Sequence, residues 1–406
     1  MLGNRLEFAP DRDREVFAAI PAAPAVFLLR GHDPAAEPYV SKSASLRRRI
    51  ERLLSAPEER SKRLNLRDRV GAIEYSLTGS DFESGFLLYH VLRNAFPKTY
   101  EKRLHLRLAP LVKMHLDNEY PRASITTRLG RIGGKNIYYG PFPSRAAAEK
   151  FMNDALDFFK MRRCVEDLHP DPAFPGCVYS EMKMCLAPCF KGCTNREYQT
   201  EVVRVEDFLN TRGESLKRQI SADRDRASEG LEFEAAAALH ARLEKLAPVL
   251  HQLPEEVQRV DQMRALIVQT SSVAESVALF RVDGGAVAGP LTFPVSSPEH
   301  AKSQSMEARI HEALKQFAAA NPRSAGERME HLAILKRWCY RRTRKGEMFF
   351  ANARGELPMR QVVRGIGRVF KGENAAPAMG AEAPSIEAEV RGPEGPLFHG
   401  TPSIES

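Results

Sequence analysis

Five of the six cysteines in this chain, Cys164, Cys177, Cys185, Cys189 and Cys193, lie between positions 164 and 193, separated by 12, 7, 3 and 3 intervening residues. Nothing else in the sequence limits the fold as strongly. Soft thiolates at this density either converge on tetrahedral zinc or an iron–sulfur cluster, or lie buried separately as small hydrophobes. Spacing alone does not separate zinc from iron. The pattern is not that of a secreted disulfide scaffold, so a reducing, cytoplasmic setting is expected. The first twenty residues interleave charged and apolar side chains, without the unbroken apolar core of a signal peptide. No window approaches eighteen uncharged apolar residues, so no membrane contact is expected.

Around the cluster, the hydrophobic pattern changes period several times along the 406 residues, which suits a multidomain α/β protein. Residues 18–100 read as a small mixed sheet with helices. Ala25–Leu29 and Pro38–Val40 are short apolar runs joined by a turn, and Ile73–Leu77 alternates like a strand. A basic helix is expected from a cap at Ser43 to about Leu54. A second opens at Ser80, with Phe86, Leu87, Val91 and Leu92 on its apolar side. Residues 101–195 form a connector with one strand at Ala123–Thr127, the loop 139–143, a helix and then the cysteines. Residues 196–252 read as an antiparallel helical hairpin turning at Ser228–Gly230. Residues 253–370 read as a small β-meander with helices and a basic segment, and 371–406 as a disordered tail rich in Ala, Pro, Gly and Glu.

The charge is +8, from 60 lysines and arginines against 52 acidic residues. This is either a solvated basic surface or the footprint of a polyanion partner. Arg47, Arg48, Arg49 and Arg52 crowd the first basic helix. Lys336-Arg337-Trp338-Cys339-Tyr340-Arg341-Arg342-Thr343-Arg344 interleaves cations with aromatics, a composition that suits phosphate contact and base stacking. Lys336, Arg337, Arg341, Arg342 and Arg344, with Arg47, Arg48 and Arg52, are therefore the candidate DNA-binding residues.

Several of these segments, taken in order, resemble the N-terminal part of the UvrC family of excinuclease proteins. Pro24-Ala25-Val26-Phe27, Tyr39-Val40-Ser41-Lys42 and Leu46-Arg47-Arg48-Arg49 are similar to the opening of its GIY-YIG nuclease domain. Tyr120-Pro121-Arg122 and Tyr139-Gly140-Pro141-Phe142 are similar to its next segments. Met161-Arg162-Arg163-Cys164 and Met184-Cys185-Leu186-Ala187-Pro188-Cys189 match its cysteine region, and Leu231-Glu232-Phe233-Glu234-Ala235-Ala236 resembles its UVR motif. The likeness runs from about residue 20 to 295. No room or carboxylate constellation for the family's RNase H-like domain is found after it.

The resemblance implies a 4Fe–4S cluster on Cys164, Cys177, Cys185 and Cys189, with zinc as the alternative and Cys193 as a spare thiol. It implies DNA as one partner and the excinuclease protein UvrB as another, bound through Leu231, Phe233, Ala236 and Leu239 of the hairpin. It also implies a phosphodiester site at Tyr39, Lys42 and Arg49. Two groups that this chemistry uses are missing. Phe27 stands where the family has its first tyrosine, and an ungapped alignment from Glu83 to Pro97 puts Leu88 at the metal-binding glutamate. Neither side chain can ionise or ligate magnesium. Magnesium is expected only if Glu83, Glu74 or Tyr75 substitutes from a neighbouring position. The expectation is a repair factor with an inactive first site. The alternatives are a nickase making one incision near a lesion, and a competitor for UvrB that needs no DNA.

Overall fold

The computed structural model describes residues 2–56, 64–131, 133–166, 168–296, 304–317 and 324–373. The basic residues Lys62 and Arg63, and nearly all of the expected tail, lie outside the described residues. Three four-stranded antiparallel sheets, each flanked by helices, organise the rest.

The first unit runs β1 (Asn4–Glu7), α1 (Asp13–Ala19), β2 (Ala25–Gly31), β3 (Tyr39–Ser43), α2 (Leu46–Leu54), β4 (Val70–Leu77) and α3 (Asp81–Ala95), with sheet order β1-β4-β2-β3. Strand β2 is apolar on both faces because both are covered. Phe27, Leu29, Ile73 and Tyr75 pack with Ile50 and Leu53 of α2 in one core. Val40 of β3 instead joins a core built around α3. Helix α2 starts two residues later than its sequence suggests, since Ser43 uses its hydroxyl on the Ser45 backbone and Ser45 occupies the cap position. Helix α3 is capped as expected, with the Ser80 hydroxyl accepting from the Glu83 amide at 3.1 Å. Its buried residues, however, are Phe82, Phe86, Tyr89 and Leu92, while Leu87 and Val91 are only half-buried.

The middle unit contains α4 (Tyr100–Leu104), β5 (Leu111–Met114), β6 (Ala123–Thr126), β7 (Ile137–Gly140), α5 (Arg145–Leu156), α6 (Val178–Glu181), α7 (Asn195–Asn210), α8 (Glu214–Glu229), α9 (Phe233–His251) and β8 (Gln258–Arg259), with sheet order β6-β5-β7-β8. The single long helix expected from Arg196 to the turn is in fact two. Arg212 and Gly213 both adopt positive φ, and the Gly213 amide closes onto the Phe208 carbonyl at 2.7 Å. A side chain at 213 would also collide with Leu250. The hairpin is therefore α8 against α9, and α7 packs Tyr198, Val202, Val205 and Leu209 into the middle core.

The third unit is the expected meander, β9 (Arg264–Thr270), β10 (Ser276–Asp283) and β11 (Ala286–Pro294), followed by α10 (Met306–Lys315), α11 (Ala325–Cys339), β12 (Glu347–Phe350) and α12 (Met359–Phe370). Its sheet order is β11-β10-β9-β12. One face meets α10 and α12 through Leu266, Val268, Ile310 and Ile366. The other face meets α11 and, across the chain, α3: Phe82 stacks edge-on against Phe280 at 5.0 Å and tilts against Trp338 at 5.0 Å. The backbone follows suit. Gly79 sits so close to Thr270 and Ser271 that a Cβ there would clash with backbone, and the Thr270 hydroxyl donates to the Gly79 carbonyl at 2.5 Å.

Candidate nucleic-acid and thiolate sites

Strand alternation sorts the expected phosphodiester residues onto two sides of β3. Tyr39 packs against the core that holds Phe27, with ring centroids 6.1 Å apart, and its hydroxyl accepts from Arg49 Nη2 at 2.8 Å. Lys42, on the side of α3, donates to Asp81 at 2.6 Å. Asp81 also pairs with Arg341 from the end of α11. Burial opposes ionisation of Asp81, but Lys42 and Arg341 outweigh it and hold its pKa below the usual carboxylate range.

The two degraded positions are structurally occupied. Phe27 is wholly buried, and Leu88 packs half-buried against the core shared by α3 and the third sheet. The three potential substitutes are engaged as well. Glu83 is buried, accepts from the Gly79 amide at 2.8 Å, and has its pKa raised by desolvation. Glu74 pairs with Arg30 at 2.6 Å and with Arg5 at 3.7 Å. Tyr75 lies directly across the ladder from Phe27 but is buried in the same core.

The basic residues divide between scaffold and surface. Arg47 donates to the Ile20 and Ala18 carbonyls, and Arg344 pairs with Glu256 at 2.6 Å while covering the Trp338 ring. Those two hold the fold. The aromatics of the second basic segment are also structural, which corrects the stacking expectation. Trp338 is buried and donates to the Lys345 carbonyl, and Tyr340 donates to the Pro141 carbonyl. Arg48, Arg52, Arg337, Arg341 and Arg342 are exposed, and Lys336 is half-buried.

The cysteine loops are tightly wound. Lys183, Ala187 and Lys191 all take left-handed φ near 55–59°, which non-glycine residues adopt only when the surroundings impose it. The Cys185 thiol is pushed up to about 11 by burial, with further upward contributions from Cys164, Cys189 and Cys177. Cys185 Sγ accepts from the Ala187 amide at 3.3 Å, and Cys164 Sγ from Arg162 Nη1 at 3.4 Å. Among the described residues, however, no three His, Cys, Asp or Glu side chains converge closely enough to enclose an ion. Arg162 adds an independent sign. Its guanidinium is 1% exposed, bonds only carbonyls and a thiol, and leaves Nη2 without a partner. A buried cation in such a position calls for a nearby anion, which a metal-bound set of thiolates would provide. Cys193 packs half-buried against the middle core.

At the hairpin turn, Leu231 and Phe233 stand 72% and 69% exposed. Ala236 is half-buried, and Leu239 packs on the chain's own middle core. No described helix is long and apolar enough to cross a membrane.

Residues 110–208 match the family model described as UvrC/Cho excinuclease, middle domain. The chain is 26% identical over 267 residues to the UvrABC system protein C of Rickettsia bellii, covering 66% of this chain and 41% of that protein. Against the protein of the same name from Carboxydothermus hydrogenoformans it is 29% identical over 238 residues, covering 57% and 37%. The chain thus spans about two fifths of the length of the curated relatives it matches. No solved structure matches it. Through the middle domain that carries the thiols and most of α7, the chain is similar to proteins of the UvrC type.

Proposed function

We propose that the chain acts in nucleotide excision repair as a UvrC-type factor that binds DNA and UvrB, and whose first nuclease site does not cut. The family match at 110–208 is the observation that carries the repair assignment. The state of the nuclease site rests on its residues. Hydrolysis of a phosphodiester needs a group to activate the nucleophile and a cation to stabilise developing charge. Phe27 has no hydroxyl and is enclosed in a core, and Leu88 offers no oxygen and is packed. What remains are two groups that would hold phosphate: Tyr39 with Arg49 on one side of β3, and Lys42 on the other.

Two further features support this reading. The exposed Phe233 and Leu231 would form the apolar contact with UvrB, a large aromatic being the usual anchor of such an interface. Cys164, Cys177, Cys185 and Cys189 would hold a 4Fe–4S cluster, or zinc, with Arg162 balancing the charge. Such a centre supplies cross-linking of the loops rather than incision chemistry.

A nicking assay on lesion-containing duplex, with UvrB and magnesium, tests the proposal. The chain is expected to bind the duplex and leave it uncut. Magnesium-dependent nicking that disappears in Tyr39→Phe or Arg49→Ala would refute the inactive-site reading and make the chain a nickase. Binding to UvrB without binding to DNA would make it a competitor.

A further inference from the structure

The sequence places Lys42 and the cations of α11 almost three hundred residues apart, yet the fold brings them to one surface. Asp81 is the hinge of this arrangement, held by Lys42 from β3 and by Arg341 from beyond α11. Behind Arg341, Arg337 donates to the Leu104 and His105 carbonyls, and Lys336 to the Leu108 carbonyl, so the connector after α4 forms the floor. Arg107 is exposed on that connector, between the His105 and Leu108 carbonyls that Arg337 and Lys336 hold. Lys336 is pushed below its ordinary range by burial and then by Arg107 and Arg337, and Arg337 is lowered by burial and then by Arg341 and Arg107. Like charges held together this way are a standing cost that a polyanion would relieve.

We infer that Lys42, Arg107, Lys336, Arg337 and Arg341 form one continuous track for the phosphate backbone of duplex DNA, in which Asp81 holds the place of a phosphate until DNA arrives. Three chain segments build it, so the first sheet contacts DNA only together with the third unit. A row of fixed cations without accessible aromatics reads backbone rather than bases, because Trp338 and Tyr340 are turned into the fold. The occupant is therefore a duplex bound without sequence preference. The inference rests on the DNA-binding reading above and makes it more specific.

The experiment uses the full chain and a fluorescein-labelled undamaged duplex, with anisotropy measured across a potassium chloride series. Lys42→Met and Arg341→Gln are each expected to weaken binding about three- to tenfold and to reduce the salt slope by about one, and the pair together by about two. Asp81→Asn is expected to tighten binding, since it releases both cations. Lys245→Ala, an exposed cation on α9, is the control and should match the parent. Thermal melting identifies any variant that fails to fold, and Asp81→Asn, which gains rather than loses affinity, cannot succeed by misfolding. If the parent binds no nucleic acid, the DNA-binding reading itself fails. If the parent binds duplex but Lys42→Met and Arg341→Gln keep its salt slope, only the composite track is refuted. Weaker binding by Asp81→Asn would overturn the place-holding role, and a preference for single-stranded RNA would overturn the assignment to duplex.

Discussion

Helix α3 and helix α11 are joined by a buried polar network whose failure can be predicted in size. Glu330, 7% exposed, accepts from Tyr89 Oη at 2.6 Å and from Tyr100 Oη at 2.5 Å. Arg93 donates to Tyr89 Oη at 2.8 Å and pairs with Glu327 at 2.9 Å. Burial, then the hydrogen bond and charge of Glu330, raise both tyrosine pKa values, so the phenols remain donors. Glu330→Gln keeps the shape and removes the charge. Two charge-assisted bonds of about 1.5–3 kcal/mol each become neutral ones of about 1 kcal/mol, a loss of about 1–4 kcal/mol. Glu330→Ala also strands both hydroxyls in a core and should cost about 3–5 kcal/mol. Adding Tyr89→Phe and Tyr100→Phe to Glu330→Leu removes every orphaned group and should recover part of that loss. Native-state hydrogen exchange of the α3 and α11 amides is the suitable assay, because a chain built on separate sheets need not unfold in one step. A Glu330→Gln change within about 0.5 kcal/mol of the parent would show that the network is not closed in solution, and the argument for rigid docking of α3 would fail.

Phe233→Ala is expected to weaken binding to UvrB by about 2–4 kcal/mol in a pull-down or calorimetric titration. Its melting temperature should not change, since the ring is 69% exposed; equal binding by the variant would remove the hairpin from the interface. Protein purified without oxygen should carry iron and absorb broadly near about 400 nm. Arg162→Met should lower the iron content per chain, while stoichiometric zinc without iron would refute the iron–sulfur assignment.

Local elements were readable wherever short-range chemistry controls them. The Ser80 cap and the apolar steps behind it announce α3, and Asp283-Gly284-Gly285 announces a hairpin that the structure builds with positive φ at both glycines. The misses have physical causes. The break at Arg212-Gly213 was hidden because the apolar period continues through it, with Leu209 and Leu216 both buried. Strand β12 and helix α12 were passed over because a four-residue edge strand carries little pattern, and α12 contains Gly365 and Gly367, both poor helix formers. Gly365 is needed there, since a Cβ would collide with Phe349. In the basic segment, composition identified the cations but could not show that Trp338 faces inward. The site was least readable where partners are far apart in sequence: Tyr39 and Arg49 lie ten residues apart, but Arg341 meets Asp81 and Glu330 meets Tyr89 across more than two hundred.

The same long-range contacts bear on position 88, where the nuclease resemblance implies a carboxylate and this chain has Leu88. A helix that holds a metal must keep one face open to solvent and substrate, because a hard cation and its carboxylate are costly to desolvate. Helix α3 has no such face at its centre. One side covers β2 and β3, and the other carries Phe82, Phe86 and Tyr89 into the third unit. Position 88 lies at the margin of that buried surface, packed against the shared core. A glutamate there would set a charge against that apolar core, which favours the neutral acid over a metal-ligating carboxylate. Leucine contributes to the docking that a glutamate would oppose. The docking in turn brings Arg341 to Asp81 and so joins two separate groups of cations into one surface. On the proposed reading, α3 would fix the geometry of a DNA-holding surface rather than form a wall of a nuclease site.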